Sequence, residues 1–158
     1  FAIFAGIYFW FPKITGKTMN EMLGKIHFYG SLVFMNGIFF PMFFQGLAGL
    51  SRRMVDGGTS YAHASGVIHY NEFMMYASWG LAVAQLPFIL NIILTLLKKK
   101  DENPDPNPWQ ATTLEWVAAP SPPIGHGNFP EIPVVYRGPY EYSVPGEELD
   151  FSPQNKKD

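Results

Sequence analysis

The chain of 158 residues has no cysteine. This excludes disulfides and thiolate metal sites, and leaves the redox compartment undetermined. Charge is scarce too: Asp, Glu, Lys and Arg make up 15% of the residues, against about 25% in ordinary soluble domains. A formal net charge of -2 gives no electrostatic footprint for nucleic acid. There is no Ser-His-Asp order, no phosphate loop and no defensible pair of carboxylates, so nothing supports an isolated catalytic centre. The opening "FAIFAGIYFWFP" lacks a charged start and a cleavage pattern, which excludes a signal peptide.

What is present is unevenly distributed. Residues 1–97 hold three of the 13 acids, Glu21, Asp56 and Glu72, whereas 11 of the 14 prolines follow residue 97. Aromatics reach 16%. Residues Ile26 to Ser51 and Phe73 to Leu97 carry no formal charge, and each run exceeds the roughly 20 residues a transmembrane helix needs. A soluble bundle would need a polar outer face on each helix, and "FMNGIFFPMFF" and "PFILNIILTLL" have almost none. The expected fold is therefore all-α: a polytopic transmembrane bundle of two and a half helices with an extended, proline-rich cytoplasmic tail.

The expected boundaries are the end of a transmembrane helix over 1–12, a cytoplasmic connection over 13–25 and a transmembrane helix over 26–51. A periplasmic connection over 52–69, a second full transmembrane helix over 70–97 and the tail over 98–158 follow. Orientation rests on lysine: Lys13, Lys17 and Lys25 flank the first connection and Lys98 to Lys100 follow the last helix, so both clusters lie on the cytoplasmic side. Pro41 and Pro87 each remove a helix hydrogen bond and are expected to kink their helices. Gly30 and Gly37, seven apart on one face, allow close helix approach. Asn36, Gln85 and Asn91 are expected to bond between helices. The tail is expected to be anchored by its aromatics, Trp109, Trp116, Phe129, Tyr136, Tyr140 and Tyr142 among them, with only "SPQNKKD" free.

The sharpest signal is "GLSRRMVD", where Arg52 and Arg53 break the positive-inside pattern on the outer side. Arginine near hydrocarbon normally has an anionic partner, and its planar fork suits carboxylate or phosphate. Asp56, lipid phosphate, an acid of another subunit and a cofactor carboxylate all qualify. The four histidines are less informative. His27 opens the second helix, His63 and His69 lie near the outer loop and His126 is in the tail; their spacing does not suit a metal. Glu72, the acid nearest a membrane span, is a candidate proton group or an acid favoured at a helix start by the dipole, the second being preferred.

Several stretches together resemble one family. "WFPKITGKTMNEMLGKIHF", "NGIFFP", "GLAGLSRRMVD", "NPWQATTLEW" and "PSPP…GNFPEIPVV" resemble the C-terminal third of subunit I of the bacterial heme-copper cytochrome c oxidases, in the same order and at similar spacing. Departures fall at "PMFFQG", where the family often has Pro-Gln-His-Phe, and at Ser51 and Met54, where Pro and Tyr are common. The resemblance implies a proton-pumping oxidoreductase that reduces oxygen to water with electrons from cytochrome c. It implies two hemes and copper in the full subunit, their ligands lying outside these residues. Further implications are partner oxidase subunits, membrane lipid, and a multi-pass place in the bacterial inner membrane. Arg52 and Arg53 match the pair that binds heme propionates; no catalytic residue and no metal ligand is expected here. Phe39, Phe40, Phe43 and Phe44 are candidates for cofactor surface or for core packing. A non-catalytic membrane scaffold and the nitric oxide reductase large subunit are the alternative readings.

Overall fold

A computed structural model describes residues 1–99, 105–123, 125, 129, 131–138 and 152–157. Lys100, His126, Tyr140 and Tyr142 lie outside the described residues. The described residues are helical, with no strand among them: α1 (Ala2–Thr15), α2 (Glu21–Leu47), a 3-10 segment (Ala62–Val67), α3 (Tyr70–Ala84), α4 (Leu86–Leu97) and the short α5 (Leu114–Val117). Two helical stretches, Glu21–Leu47 and Tyr70–Leu97 (α3 followed by α4), are long and apolar enough to cross a membrane. The chain divides into two compact units, Asn20–Ile93 and the pair of segments Phe1–Met19 with Leu94–Asp158.

In the first of these units, α2 and α3 run antiparallel. Small residues set their register. A Cβ on Gly30 would lie 3.1 Å from the Ala84 Cβ, and one on Gly37 would lie 3.2 Å from the Ala77 Cβ. Midway between them the ring of Phe34 lies directly over Gly80, where a Cβ would stand. Gly30 and Gly37 thus serve the close packing read from their spacing. A Cβ at residue 80 must displace a ring held between two helices. Gly80→Val is therefore expected to destabilise the hairpin by about 1–3 kcal/mol, measured as an earlier thermal loss of the assembled complex.

Polar side chains fill this interface. His27 is 2% exposed, and its Nε2 lies 3.1 Å from Gln85 Oε1. Gln85 Nε2 donates to Ser31 Oγ at 3.1 Å and to the Leu81 carbonyl at 3.0 Å. The second bond has a local cause. Pro87 offers no N–H, and the helix breaks at Gln85, whose own amide turns to the Ala82 carbonyl at 3.2 Å. Its side chain then takes the Leu81 carbonyl that its amide left. Pro41, by contrast, sits inside an unbroken α2.

At the far end of the pair, Asn91 is fully buried and makes a two-way bond with Asn20. It accepts from the Asn20 amide and donates to the Asn20 carbonyl, both at 2.8 Å. Asn20 caps α2 through Leu23 N at 3.0 Å. Glu21 follows in the first turn and pairs with Lys25 at 2.7 Å. The capping pulls the start of α2 back to Glu21, so His27 lies within the helix and between helices rather than at its opening. Gln85 and Asn91 bond across helices as expected. Among the described residues Asn36 does not: its amide donates to the Leu32 carbonyl of its own helix at 2.8 Å.

The outer faces are apolar. Phe28, Val33, Phe39, Phe40, Phe43, Trp79, Val83, Ile89 and Leu94 are all exposed. Polar groups inside and large apolar ones outside reverse the pattern of a water-soluble domain. The reversal suits a hydrocarbon surround, where backbone groups are satisfied within each helix.

In the second unit the tail packs on α1. Gly16 ends α1 in a left-handed conformation, φ 69°, its amide bonding the Pro12 carbonyl. Trp109 stacks on Phe9 at 6.2 Å and donates from Nε1 to the Phe9 carbonyl at 2.9 Å. Trp116, 2% exposed, meets Phe9 edge-on at 5.2 Å. Lys13 Nζ lies 5.3 Å over the Trp116 ring and donates to the Ala119 carbonyl at 2.6 Å. Lys17 Nζ donates to the Leu96 and Lys98 carbonyls at 2.8 and 2.5 Å, satisfying the exposed end of α4.

The anchors are thus the tryptophans; Val134, Val135 and Tyr136 remain exposed. The last residues differ from expectation. "SPQNKKD" is not free, because Ser152 and Gln154 are buried. Gln154 bonds the Thr112 carbonyl through its amide, Leu114 N through Oε1 and Tyr136 N through its carbonyl. With its Nε2 also donating to the Arg137 carbonyl at 3.4 Å, one glutamine satisfies four backbone groups of a segment with little regular structure to satisfy them.

Candidate functional site: the arginine turn

The turn that carries the arginines begins with a helix stop. At the end of α2 the Leu50 amide bonds the Gln45 carbonyl and the Gly49 amide bonds the Gly46 carbonyl, both at 3.1 Å. This is the paired closure of a helix that ends on a left-handed residue. Gly49 is that residue, at φ 85°. His63 packs against it, with Nε2 3.2 Å from where a Cβ would stand.

Arg52 and Arg53 follow within three and four residues of the stop. Arg53 has φ 63°, in the left-handed region, at a cost of about 1–2 kcal/mol for a side chain of this kind. The strain is held by closure of the turn on itself. Leu50 Cδ2 lies 2.9 Å from a Cβ position on Gly58, itself at φ 92°, so only glycine lets the two ends of the turn meet.

Asp56 organises the second half. Its Oδ1 accepts from Gly58 N at 3.1 Å, and its Oδ2 from Ser60 N at 2.9 Å. Thr59 Oγ1 donates to the Asp56 carbonyl at 3.1 Å. Hydrogen bonds from the Ser60 side chain, then from the Gly58 and Ser60 amides, hold its carboxyl at about 2, below the ordinary 3.8. The carboxylate is therefore the form the turn binds. A depressed value contributes order above about 3.8, and that order is lost as pH falls through about 2. Amide exchange at Gly58 and Ser60, corrected for its intrinsic rate, should stay slow down to about pH 4 and accelerate over the window below it.

A chain of polar bonds, starting from the buried Gln45, fastens the turn to the helices beneath it. Gln45 Nε2 donates to the Val67 carbonyl at 3.1 Å and to Asn71 Oδ1 at 2.8 Å. Asn71 Nδ2 then donates to the Gly57 carbonyl at 2.8 Å. A cleft of about 440 Å³ opens between this chain and the arginines. Both arginines line it, with Gln45 and Asn71 as its polar groups and Phe39, Met42 and Met74 as apolar wall.

The two arginines are the residues the sequence singles out, and the fold brings them to one cleft. Asp56, a candidate partner for one of them, is committed to the turn's own amides. Among the described residues neither arginine forms an ion pair; the pair between Glu21 and Lys25 lies elsewhere. Two forked cations beside an apolar wall can bind a carboxylate or phosphate bidentately. The donor set therefore fits the acidic arms of a heme.

The other candidates go to separate places. His63 packs on Gly49 and meets Tyr61 edge-on at 5.6 Å, while His69 lies against Tyr70 at 4.2 Å. No group of three or more potential metal ligands occurs among the described residues. Glu72, in the first turn of α3, accepts from the Tyr76 hydroxyl at 3.3 Å. Phe39, Phe40, Phe43 and Phe44 are all exposed; Phe39 lines the cleft, and Phe44 meets Phe40 edge-on at 5.3 Å and Tyr70 at 6.1 Å. Gln45 and Asn71 are the site residues that sequence reasoning missed. The signal was one amide in an uncharged run and another at a helix start.

Comparison with known proteins places the chain in a family. The family described as Cytochrome C and Quinol oxidase polypeptide I matches residues 1–83. The alternative cytochrome c oxidase subunit 1 of Bradyrhizobium diazoefficiens is 40% identical over 155 residues, 98% of this chain and 26% of that protein. Cytochrome c oxidase subunit 1 of Synechocystis sp. is 39% identical over 150 residues, 95% of this chain and 25% of its own length. That of Thermostichus vulcanus is 38% identical over 144 residues, 91% and 24%. The chain thus spans about a quarter of the length of the curated relatives it matches. With a family match over more than half its residues, and membrane-length helices that suit it, the chain belongs to the polypeptide I family of cytochrome c and quinol oxidases.

Proposed function

We propose that this chain is the C-terminal segment of the catalytic subunit of a respiratory terminal oxidase, one that reduces oxygen to water and pumps protons. Cytochrome c is the electron donor in this reading, supported by relatives that are named cytochrome c oxidases. The segment contributes one wall of a heme pocket, and Arg52 and Arg53 hold the heme propionates. The observation that carries this is the pair of arginines lining one apolar-walled cleft, with no carboxylate paired to either among the described residues. The heme, when bound, supplies the electron transfer and oxygen chemistry. This chain's residues orient it, offset the charge of its acid arms and exclude water along the Phe39, Met42 and Met74 side.

The setting follows from the same elements. The subunit is a multi-pass protein of the bacterial inner membrane, working with other oxidase subunits and with lipid around its apolar helix faces. Lys25 stands near one end of α2 and the arginine turn follows the other end, across a helix of 27 residues, about 40 Å long. That separation supports cytoplasmic lysines, a periplasmic arginine turn and a cytoplasmic tail. The test is a redox titration of the hemes in the intact complex carrying Arg52→Met. A shifted midpoint potential with weakened pumping is expected; wild-type values for both overturn the assignment.

A further inference from the structure

The arginines do not reach their cleft by their own packing. Both are exposed, and Arg53 is held in a left-handed conformation that an unconstrained chain leaves. The turn is instead fixed at its two ends by groups on the helices. At its start, the Leu50 amide bonds the Gln45 carbonyl; at its finish, the Gly57 carbonyl accepts from Asn71. The side chains of the same two residues are joined at 2.8 Å. Gln45 is nine-tenths buried, with its second amide hydrogen on the Val67 carbonyl. A single chain of bonds thus runs from the end of α2, across the start of α3, into the turn. Gln45 and Asn71 also line the arginine cleft itself.

We infer that Gln45 and Asn71 are positioning residues for the arginine clamp: their linked amides set the turn so that Arg52 and Arg53 present their guanidiniums to the heme acid arms. This rests on the propionate reading above and goes beyond it, because neither amide is charged and neither is asked to bind the cofactor. Loss of the Asn71 N–H leaves the Gly57 carbonyl without its side-chain donor and frees the finish of the turn. Loss of the Gln45 amide orphans Asn71 Oδ1 and the Val67 carbonyl together. In both cases the arginines retain their charge but lose their place, and a displaced positive charge lowers the potential of a nearby heme.

The test uses the intact complex, with Gln45→Leu, Asn71→Leu and Arg52→Met compared at matched heme content. All three substitutions leave no new charge. Both amide variants are expected to shift the heme midpoint potential downwards, as Arg52→Met does, and by a smaller amount. If Arg52→Met shifts the potential and neither amide variant does, the positioning role is overturned and the propionate reading stands. If Arg52→Met leaves the potential unchanged, the propionate reading fails and this inference falls with it. Should Gln45→Leu not assemble, Asn71→Leu decides alone, since it leaves the Gln45 bond to Val67 in place.

Discussion

On the proposed propionate assignment, replacing Arg52 with methionine is expected to lower the midpoint potential of the heme it holds by several tens of millivolts and to weaken proton pumping. The sign follows from charge. Reduction adds an electron to the heme, and a fixed cation nearby stabilises the reduced form more than the oxidised one. Removing the cation therefore makes reduction harder. A unit charge at about 10 Å interacts by about 1.7 kcal/mol at an effective dielectric of about 20, or about 70 mV for a one-electron couple. The Asp56 carboxylate, held by amides of its own turn, keeps the same charge in parent and variant, so the difference reports the arginine. Methionine keeps length and apolar bulk, so the change reports charge more than packing. Arg53→Met carries an added consequence: the residue must still adopt φ 63° without the return a guanidinium–carboxylate fork provides. A spectroelectrochemical titration of both variants separates the two contributions.

Gly49→Val is expected to damage both stability and the arginine site. Two costs coincide there. The backbone stands at φ 85°, where a β-branched residue is strained by about 1–3 kcal/mol. A side chain would also meet His63 Nε2 at 3.2 Å. The helix stop places the turn, so the loss reaches the arginine site as well as stability. The double variant Gly49→Val, His63→Ala distinguishes the two costs. It should recover the steric part and leave the backbone part, giving a thermal midpoint and heme content between those of the single variant and the parent. Full recovery would mean that the left-handed stop contributes little.

The parts of the fold legible in the sequence were those written in composition. Two uncharged runs announce two long helices because hydrocarbon tolerates few charges along a helix. Gln85 and Asn91 were readable as interhelical groups, since an amide in such a run has few other partners. Asn36 looked the same and was not, because its side chain reaches the carbonyl one turn back in its own helix. Sequence position cannot distinguish these two outcomes, which depend on helix rotation.

The site divides in the same way. The arginine pair stood out by charge alone. Its support did not, because Gln45 and Asn71 are 26 residues apart and meet only once the hairpin closes. The commitment of Asp56 to its own turn was likewise hidden, since proximity in sequence made it an equally good partner for arginine. The tail's end misled for a related reason. Its polar composition suggested a free terminus, yet the polar atoms of Gln154 are what bind the backbone around Thr112 and Leu114.

The most direct measurement is an experimental density map of the complete oxidase, read at the arginine turn. The account predicts guanidinium nitrogens of Arg52 and Arg53 within about 2.7–3.2 Å of heme propionate oxygens, with Asn71 bonded to the Gly57 carbonyl beneath them. Guanidiniums facing open solvent or lipid, with no macrocycle in hydrogen-bonding reach, would contradict it.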